Sequence, residues 1–294
     1  MTTRNLLFAT GVAALLLAAA LGTYPSSTEL APSNPAWNGL SQAVRAFHLH
    51  ALSSLGELPR TAAGTALVII PARPVSGRDI GVLRRYLDDG GLVLVLADSG
   101  PGNDLLARLG IPVRLAAGTV EDPLFAYKSR RFPRIAEVMG PASEGVRALI
   151  LNHPTALLVT GPLEILAQSS LVSYLDTDGN HRQDPGEPSG PFAVAASASV
   201  GSGTLVVVAD SSLLTNAMLP LGDNRRFLRN LLALPGSGAR VYLDTAHLPH
   251  APLDVAKDLL DQARKTIAFP PLTFALVASG VLVSWGRLGI SRRR

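Results

Sequence analysis

The sequence predicts an α/β domain, with a mostly parallel sheet flanked by helices, held between an N-terminal and a C-terminal transmembrane helix. Three observations carry this. Two continuous apolar runs, TALVIIPA (65–72) and GLVLVLAD (91–98), suit strands buried on both faces. The stretch between them, Ser76 to Asp89, has helical periodicity, and strand, helix and strand joined by short connections make a right-handed unit with parallel strands. Both ends of the chain carry long uncharged stretches of the kind that bury in lipid.

From Leu6 to Gly22 there is no charge, which reaches the lower end of the roughly 17–25 residues that span a bilayer. Arg4 precedes this run and small residues, Ala20 and Gly22, end it. Residues 1–22 are therefore either a retained anchor or a cleavable signal peptide, and both export the central part of the chain. The second run, 266–286, carries Trp285 where an interfacial aromatic belongs. In the tail, 287–294, Arg287, Arg292, Arg293 and Arg294 outnumber Arg264 and Lys265 on the other side of the run. The positive-inside rule then expects the tail in the cytoplasm and the central domain, 37–265, on the extracytoplasmic side of the cell membrane. The alternative for 266–286, a buried helix of a soluble protein, requires a partner covering all its faces.

Composition narrows the functional classes. The chain has 26 basic and 22 acidic residues. Setting aside Arg4 and the four tail arginines leaves 21 basic against 22 acidic, so the central part is near neutral and lacks the basic stripe that nucleic-acid binding needs. With no cysteine there is no disulfide framework, thiolate metal site or cysteine nucleophile.

Residues 23–36, rich in Pro, Ser and Asn, read as a linker. Trp37 to Leu55 has helical periodicity through Leu40, Val44, Phe47, Ala51 and Leu55. Ser76 suits the N-cap of the next helix and Gly90-Gly91 its stop. Beyond the second apolar run, a helix is expected near 103–109, short strands at 147–152 and 155–160, and a strand pair at 191–200 and 203–210 joined by Gly-Ser-Gly. A helix within 219–234, a last strand at 239–244 and a helix at 252–264 complete the pattern.

The strongest local signal is DTDGNHRQDPGE. Counting Asp176 as the first position, oxygen-bearing side chains fall at Asp176, Asp178, Asn180, Asp184 and Glu187, the spacing of a calcium loop that closes with a bidentate Glu. The loop departs from the pattern at its sixth position, where His181 replaces Gly, and its flanks read as strands rather than helices. A metal-free turn is the competing reading, because Asp, Asn, Gly and Pro favour turns unaided.

Asp98, Asp210 and Asp244 each end an expected buried strand, which in a parallel sheet puts them on the carboxyl edge where ligands bind. Ser99, Ser211, Ser212, Asn216 and His247 are their sequence neighbours, and Asp98, Ser99, Asp210, Ser211, Asn216, Asp244 and His247 form the candidate ligand site. The blander role for Asp98 and Asp210 is helix capping. No GxSxG elbow surrounds a serine, so Asp210, Ser211 or Ser212 and His247 make a hydrolytic triad only on paper.

The order of WNGLS (37–41), the strand–helix–strand segment 66–98, YLDTDGNHRQDPGEPSGPFAVAA (174–196), VVVADSSLLTNAML (206–219) and GDNRRFLRNLL (222–232) resembles a family of prokaryotic membrane proteins defined by domain of unknown function 4350. The resemblance implies kinship with the class I glutamine amidotransferase-like fold, a flavodoxin-like α/β sandwich whose enzymes use a cysteine that this chain lacks. It therefore implies the architecture without the chemistry. It also implies proximity to a MoxR-type ATPase and a von Willebrand-like companion in a membrane-associated assembly. The expectation is a non-catalytic extracytoplasmic binding or scaffold module, with membrane or envelope proteins as partners and Ca2+ as its one expected ion. The alternatives are a serine-type hydrolase and a calcium-stabilised envelope or adhesion scaffold.

Overall fold

The computed structural model describes residues 26–98 and 100–249, and its fold follows from which residues must be buried on two faces at once. After α1 (Ser41–Phe47) and β1 (His50–Leu52), the two apolar runs become β2 (Thr65–Ile69) and β3 (Leu92–Leu96) on either side of α2 (Gly77–Asp88), and α3 (Pro101–Leu109) comes after them. Short strands come next: β4 (Val113–Leu115), β5 (Thr119–Glu121), β6 (Arg134–Ile135), β7 (Glu137–Val138), β8 (Leu149–Ile150), β9 (Leu157–Val159), β10 (Glu164–Gln168) and β11 (Tyr174–Asp176). The hairpin β12 (Ala193–Val200) and β13 (Gly203–Val208), then α4 (Asn224–Leu232) and β14 (Arg240–Asp244), complete the described chain.

Eight strands form one sheet in the order β1-β14-β2-β3-β13-β12-β10-β7. From β1 to β13 every pairing is parallel, and β12, β10 and β7 are added antiparallel. Side chains alternate across this sheet and feed two cores. Leu92, Leu94, Leu96, Val206 and Val208 pack with Ala43 and Phe47 of α1 and Phe227, Leu228 and Leu231 of α4. Val93, Val95, Leu205 and Val207 pack with Ile80, Leu83 and Leu87 of α2 and Leu105, Leu106 and Leu109 of α3. The result is a three-layer sandwich with two helices on each face, in keeping with the α/β pattern of the sequence. The caps of α2 are also as expected: Ser76 Oγ accepts the Asp79 N–H at 3.2 Å, and Gly90 takes a left-handed φ of 86° just past the helix end.

Near the N-terminus the structure departs from the sequence pattern twice. The periodicity over 37–55 predicts one helix, but α1 stops at Phe47. His48 takes a left-handed φ of 51° and donates its N–H to Val44. The chain then turns into β1, whose backbone pairs with the free edge of β14 while Leu49 and Leu52 bury their side chains. The described part of the linker, 26–36, is packed rather than free: Leu30 and Asn34 are buried, and Leu30 N–H bonds Asn38 O at 2.9 Å. Gly39 makes this docking feasible, because a Cβ there would collide with the Asn34 carbonyl.

The strands expected at 147–152 and 155–160 exist only as β8 and β9, and both belong to two-stranded ribbons outside the main sheet. Among the described residues no helix is long and apolar enough to cross a membrane. The hydrophobic runs 1–22 and 266–286, the tail 287–294, the helix expected at 252–264, and Ser99 lie outside the described residues.

Candidate functional site at the carboxyl edge

Strands β3 and β13 pair in parallel with Leu96 opposite Val208, so Asp98 and Asp210 lie two residues past the two strand ends at the same level. The helices that come after them leave in opposite directions. After β3 the chain goes to α3 on one face, and after β13 it goes to α4 on the other. Diverging connections of this kind open the crevice in which parallel α/β sheets bind ligands.

Hydrogen bonds shape that crevice from its rim down to buried Asp210. Ser211 Oγ donates to Asp98 Oδ2 at 2.5 Å. Ser212 donates both its hydroxyl, at 2.7 Å, and its backbone N–H, at 2.8 Å, to Asp210 Oδ1. Asp210 Oδ2 accepts the Asn152 N–H at 2.7 Å, and Asn152 Nδ2 donates to Ser212 Oγ at 2.9 Å. Asp210 is fully buried, and burial raises its carboxyl from 3.8 to about 6, against the lowering effect of these donors and with a further upward push from Asp98. Asp98, Asn152, Ser211 and Ser212 remain half-buried, which leaves the rim open to a ligand. The capping role suggested for Asp98 is not what organises the crevice: the N-cap position of α3 is Gly100, without a side-chain cap, and the carboxylate reaches across to Ser211, beyond the neighbouring strand.

His153 follows Asn152 with a left-handed φ of 49°, its ring tilted against Phe132 at 5.6 Å. Loss of water on its protein-facing side, then the charge of Arg131, hold it below the ordinary imidazole range, while Glu121 and Asp98 pull the other way. The sequence reading missed Asn152 and His153. Their signal is an Asn-His-Pro turn directly after an apolar run, a polar strand end like the three aspartates.

Asp244 and His247 form a separate pair. His247 Nδ1 lies 2.6 Å from Asp244 Oδ2, and its Nε2 lies 3.8 Å from Asp79 Oδ2. The hydrogen bond to Asp244 raises the imidazole pKa, outweighing partial burial. Since β14 is three strand spacings from β13, the pair sits about 14 Å along the edge from Asp210. Among the described residues the hydroxyls of Ser211 and Ser212 donate to carboxylates and His247 holds Asp244 and Asp79, so the triad drawn on paper is not assembled.

Asn216 does a different task. Its Nδ2 donates to Ala36 O at 2.6 Å and Asn34 O at 3.0 Å, and its Oδ1 accepts the Gln42 N–H at 2.8 Å. It thereby fastens the N-terminal segment and caps the start of α1 from a distance, with its amide engaged in the fold.

The acidic loop leaves β11 as a turn whose strand flank matches the sequence reading. Asp176, Asp178 and Glu187 bring carboxylate oxygens within 4.8 Å of one another, as do the side chains of Glu121, Asp176 and His181. Asn180 and Asp184 hydrogen-bond each other through Asn180 Nδ2. Several loop N–H groups are satisfied internally: Asp176 accepts from Gly179 at 2.8 Å and His181 at 3.0 Å, and Asp178 accepts from Asn180 at 3.0 Å. Burial works to raise the Asp176 carboxyl, but these backbone donors and Asp178 hold it below the usual range. His181 takes the left-handed φ, 61°, that Gly supplies at the sixth position of a calcium loop, and its Nδ1 lies 2.7 Å from buried Glu121. The departure from the pattern is thus accommodated in the backbone. Hard oxygen donors of this kind fit Ca2+, and the same internal hydrogen bonds fit a metal-free turn.

The fold and crevice define a three-layer α/β protein with a polar site at the point where its strand connections diverge. The sequence pattern described as Domain of unknown function (DUF4350) matches residues 32–232, which is more than half of the chain, and the chain belongs to that family. No curated protein matches it. Among solved structures it is similar to the mmIFT52 N-terminal domain, at 16% identity and a TM-score of 0.49 over 74% of this chain and 94% of that one. It is also similar to a putative ThuA-like protein from Bacteroides uniformis, at 9% identity and 0.39 over 65% and 81%. An exo-beta-1,4-mannosidase from an Opitutaceae bacterium gives 14% and 0.36 over 60% and 26%. All three TM-scores fall below 0.5, so these likenesses carry no functional argument.

Proposed function

We propose that this chain is a membrane-tethered, non-catalytic binding module that presents the Asp98–Asp210 crevice to a ligand or a partner protein on the extracytoplasmic side, within a membrane-associated assembly. One observation carries the proposal: a half-open polar crevice at the diverging strand ends, in which both serine hydroxyls donate to carboxylates and neither is bonded to a histidine, His247 being held by Asp244 further along the edge. The near-neutral central charge and the apolar termini support the membrane setting, and the three-layer architecture supports an amidotransferase-like ancestry without its cysteine.

The test is affinity capture of the full chain from detergent-solubilised membranes, alongside Asp98→Asn and Ser211→Ala. A companion or ligand retained by the parent chain and lost from both variants, with the fold intact, supports the reading. Hydrolytic turnover that both variants abolish would replace it with the hydrolase. A second element rests on its own observation: the converging carboxylates of Asp176, Asp178 and Glu187 are proposed to take up Ca2+ and rigidify their loop, a structural rather than a catalytic role.

A further inference from the structure

On the face of the sandwich formed by α1 and α4, Gln42, Arg45, Ala46, Arg225 and Arg229 line an open groove of about 330 Å³. Three guanidinium groups thus meet in one depression without a carboxylate among its walls. All three side chains are exposed, and among the described residues none of them is in a salt bridge or a side-chain hydrogen bond. The central part of the chain is close to neutral, so composition does not force this concentration of charge.

The fold accommodates this charge only in part: Arg45 and Arg229 lie in the last turns of α1 and α4, where the helix dipole favours cations, but Arg225 does not. Arg225 and Arg229 are four residues apart on α4, where like charges repel. Arg225 and Arg226 also occupy the first turn of that helix, which has no acidic residue, although the positive end of the helix dipole disfavours cations there. Asp223, at the N-cap position, offsets Arg226, but it is bonded through Oδ2 to the N–H groups of Arg147 and Ala148 and does not line the groove. Three guanidinium groups that converge on one groove without an internal partner point to an external anion.

The frame beneath the groove is rigid. Ala43 and Phe47 of α1 and Phe227, Leu228 and Leu231 of α4 share one core, and Asn216 pins the start of α1. Arginines contributed by two helices around one depression match the several oxygens of a phosphate, which guanidinium forks bind bidentately. We infer that the α1–α4 groove is a binding site for a phosphate group, delivered by a soluble phosphorylated compound or by a phospholipid headgroup. The inference is independent of the carboxyl-edge crevice.

The test is isothermal titration of the full chain in an uncharged detergent with inorganic pyrophosphate and with a water-soluble short-chain phosphatidic acid, at low and at physiological salt. The variants are the double Arg45→Gln/Arg229→Gln, the single Arg229→Lys, and Arg78→Gln on the opposite face as control. The expected result is binding weakened on the order of tenfold or more in the double variant, intermediate weakening in Arg229→Lys, which keeps the charge but loses the fork, and no change in the control. Tighter binding of the lipid identifies a headgroup site, and tighter pyrophosphate binding identifies a soluble ligand. Absence of binding to the parent chain at low salt, or equal binding by parent and double variant, overturns the inference. If the double variant does not fold, Arg229→Lys decides the question alone.

Discussion

Ser211 Oγ donates to Asp98 Oδ2 at 2.5 Å, and this one bond ties together the ends of two strands whose succeeding helices lie on opposite faces of the sheet. Because both partners are half-exposed, the bond sits at the rim of the crevice rather than in the core. Its removal tests the crevice without breaking the fold.

Ser211→Ala should lower the unfolding free energy by about 1.5 kcal/mol, the lower end of the range for a hydrogen bond to a charged group. Asp98→Asn should cost a similar amount, and the double variant little more than either alone, since the two share one interaction. Urea denaturation of the four proteins measures the coupling. Strictly additive losses would mean that the bond does not hold the rim.

Asp210 gives the fold a pH dependence of definite sign. Its carboxyl is raised from 3.8 to about 6, so the folded chain holds this proton more tightly than the unfolded chain does. The contribution is fully present below the unfolded value and declines as pH rises from about 4 to about 6, by roughly 3 kcal/mol for two units. In Asp210→Asn an amide N–H would face the Asn152 N–H, so the variant is destabilised by other means but loses this titration. The difference in unfolding free energy between parent and variant should therefore shrink between pH 4 and 6 and stay constant above 7. A difference independent of pH would contradict the assignment.

His247 titrates in the same direction from a different cause. The Asp244 carboxylate raises its pKa above 6.5, so its stabilising effect is complete below the ordinary imidazole value and fades as pH climbs through the raised one. Imidazole proton shifts in NMR should titrate above 6.5 in the parent chain and fall back in Asp244→Asn. His247→Gln should cost stability at pH 6 and progressively less at higher pH.

The core of this fold is written in the sequence because strands buried on both faces need uninterrupted apolar runs, and Leu92–Leu96 and Thr65–Ile69 stand out for that reason. The less legible features have a common cause. His50–Leu52 becomes a strand because β14 offers it an edge, and that edge lies almost two hundred residues away in sequence. The apolar period of 37–55 carries no trace of it. The task of Asn216 is likewise set by Asn34, Ala36 and Gln42, so its proximity to Asp210 in sequence suggests a ligand role that its bonds do not share. Asp98 and Asp210 are visible in the sequence as strand ends. Their link through Ser211 requires the strand order β3-β13, which no local pattern specifies. The acidic loop lies at the other extreme, since its spacing alone brings Asp176, Asp178 and Glu187 together.

That loop yields a direct metal test. If Asp176, Asp178 and Glu187 close on Ca2+, saturation at about a hundred times the dissociation constant stabilises the folded chain by about 2.7 kcal/mol. For a domain of this size that corresponds to a rise in Tm of roughly 5–10 °C, reversed by chelator. Glu187→Gln should abolish the difference, while Asp104→Asn, remote on α3, should leave it intact. Equal melting temperatures with calcium and with chelator would assign the loop to its internal hydrogen bonds alone.

The absence of cysteine makes the proposed orientation directly measurable, because any single cysteine introduced is the only thiol in the chain. Arg182→Cys lies on the exposed loop, and Arg293→Cys lies in the basic tail. With the central domain outside and the tail inside, a membrane-impermeant maleimide should label the first in intact cells and the second only after lysis. The proposed orientation rests on the cost of moving arginines across a hydrocarbon layer, which would hold Arg287 and Arg292–Arg294 on the cytoplasmic side and leave the near-neutral centre to be exported. Labelling of the tail in intact cells would reverse the orientation. Labelling of neither site before lysis would place the crevice, its partner and the loop's calcium supply in the cytoplasm.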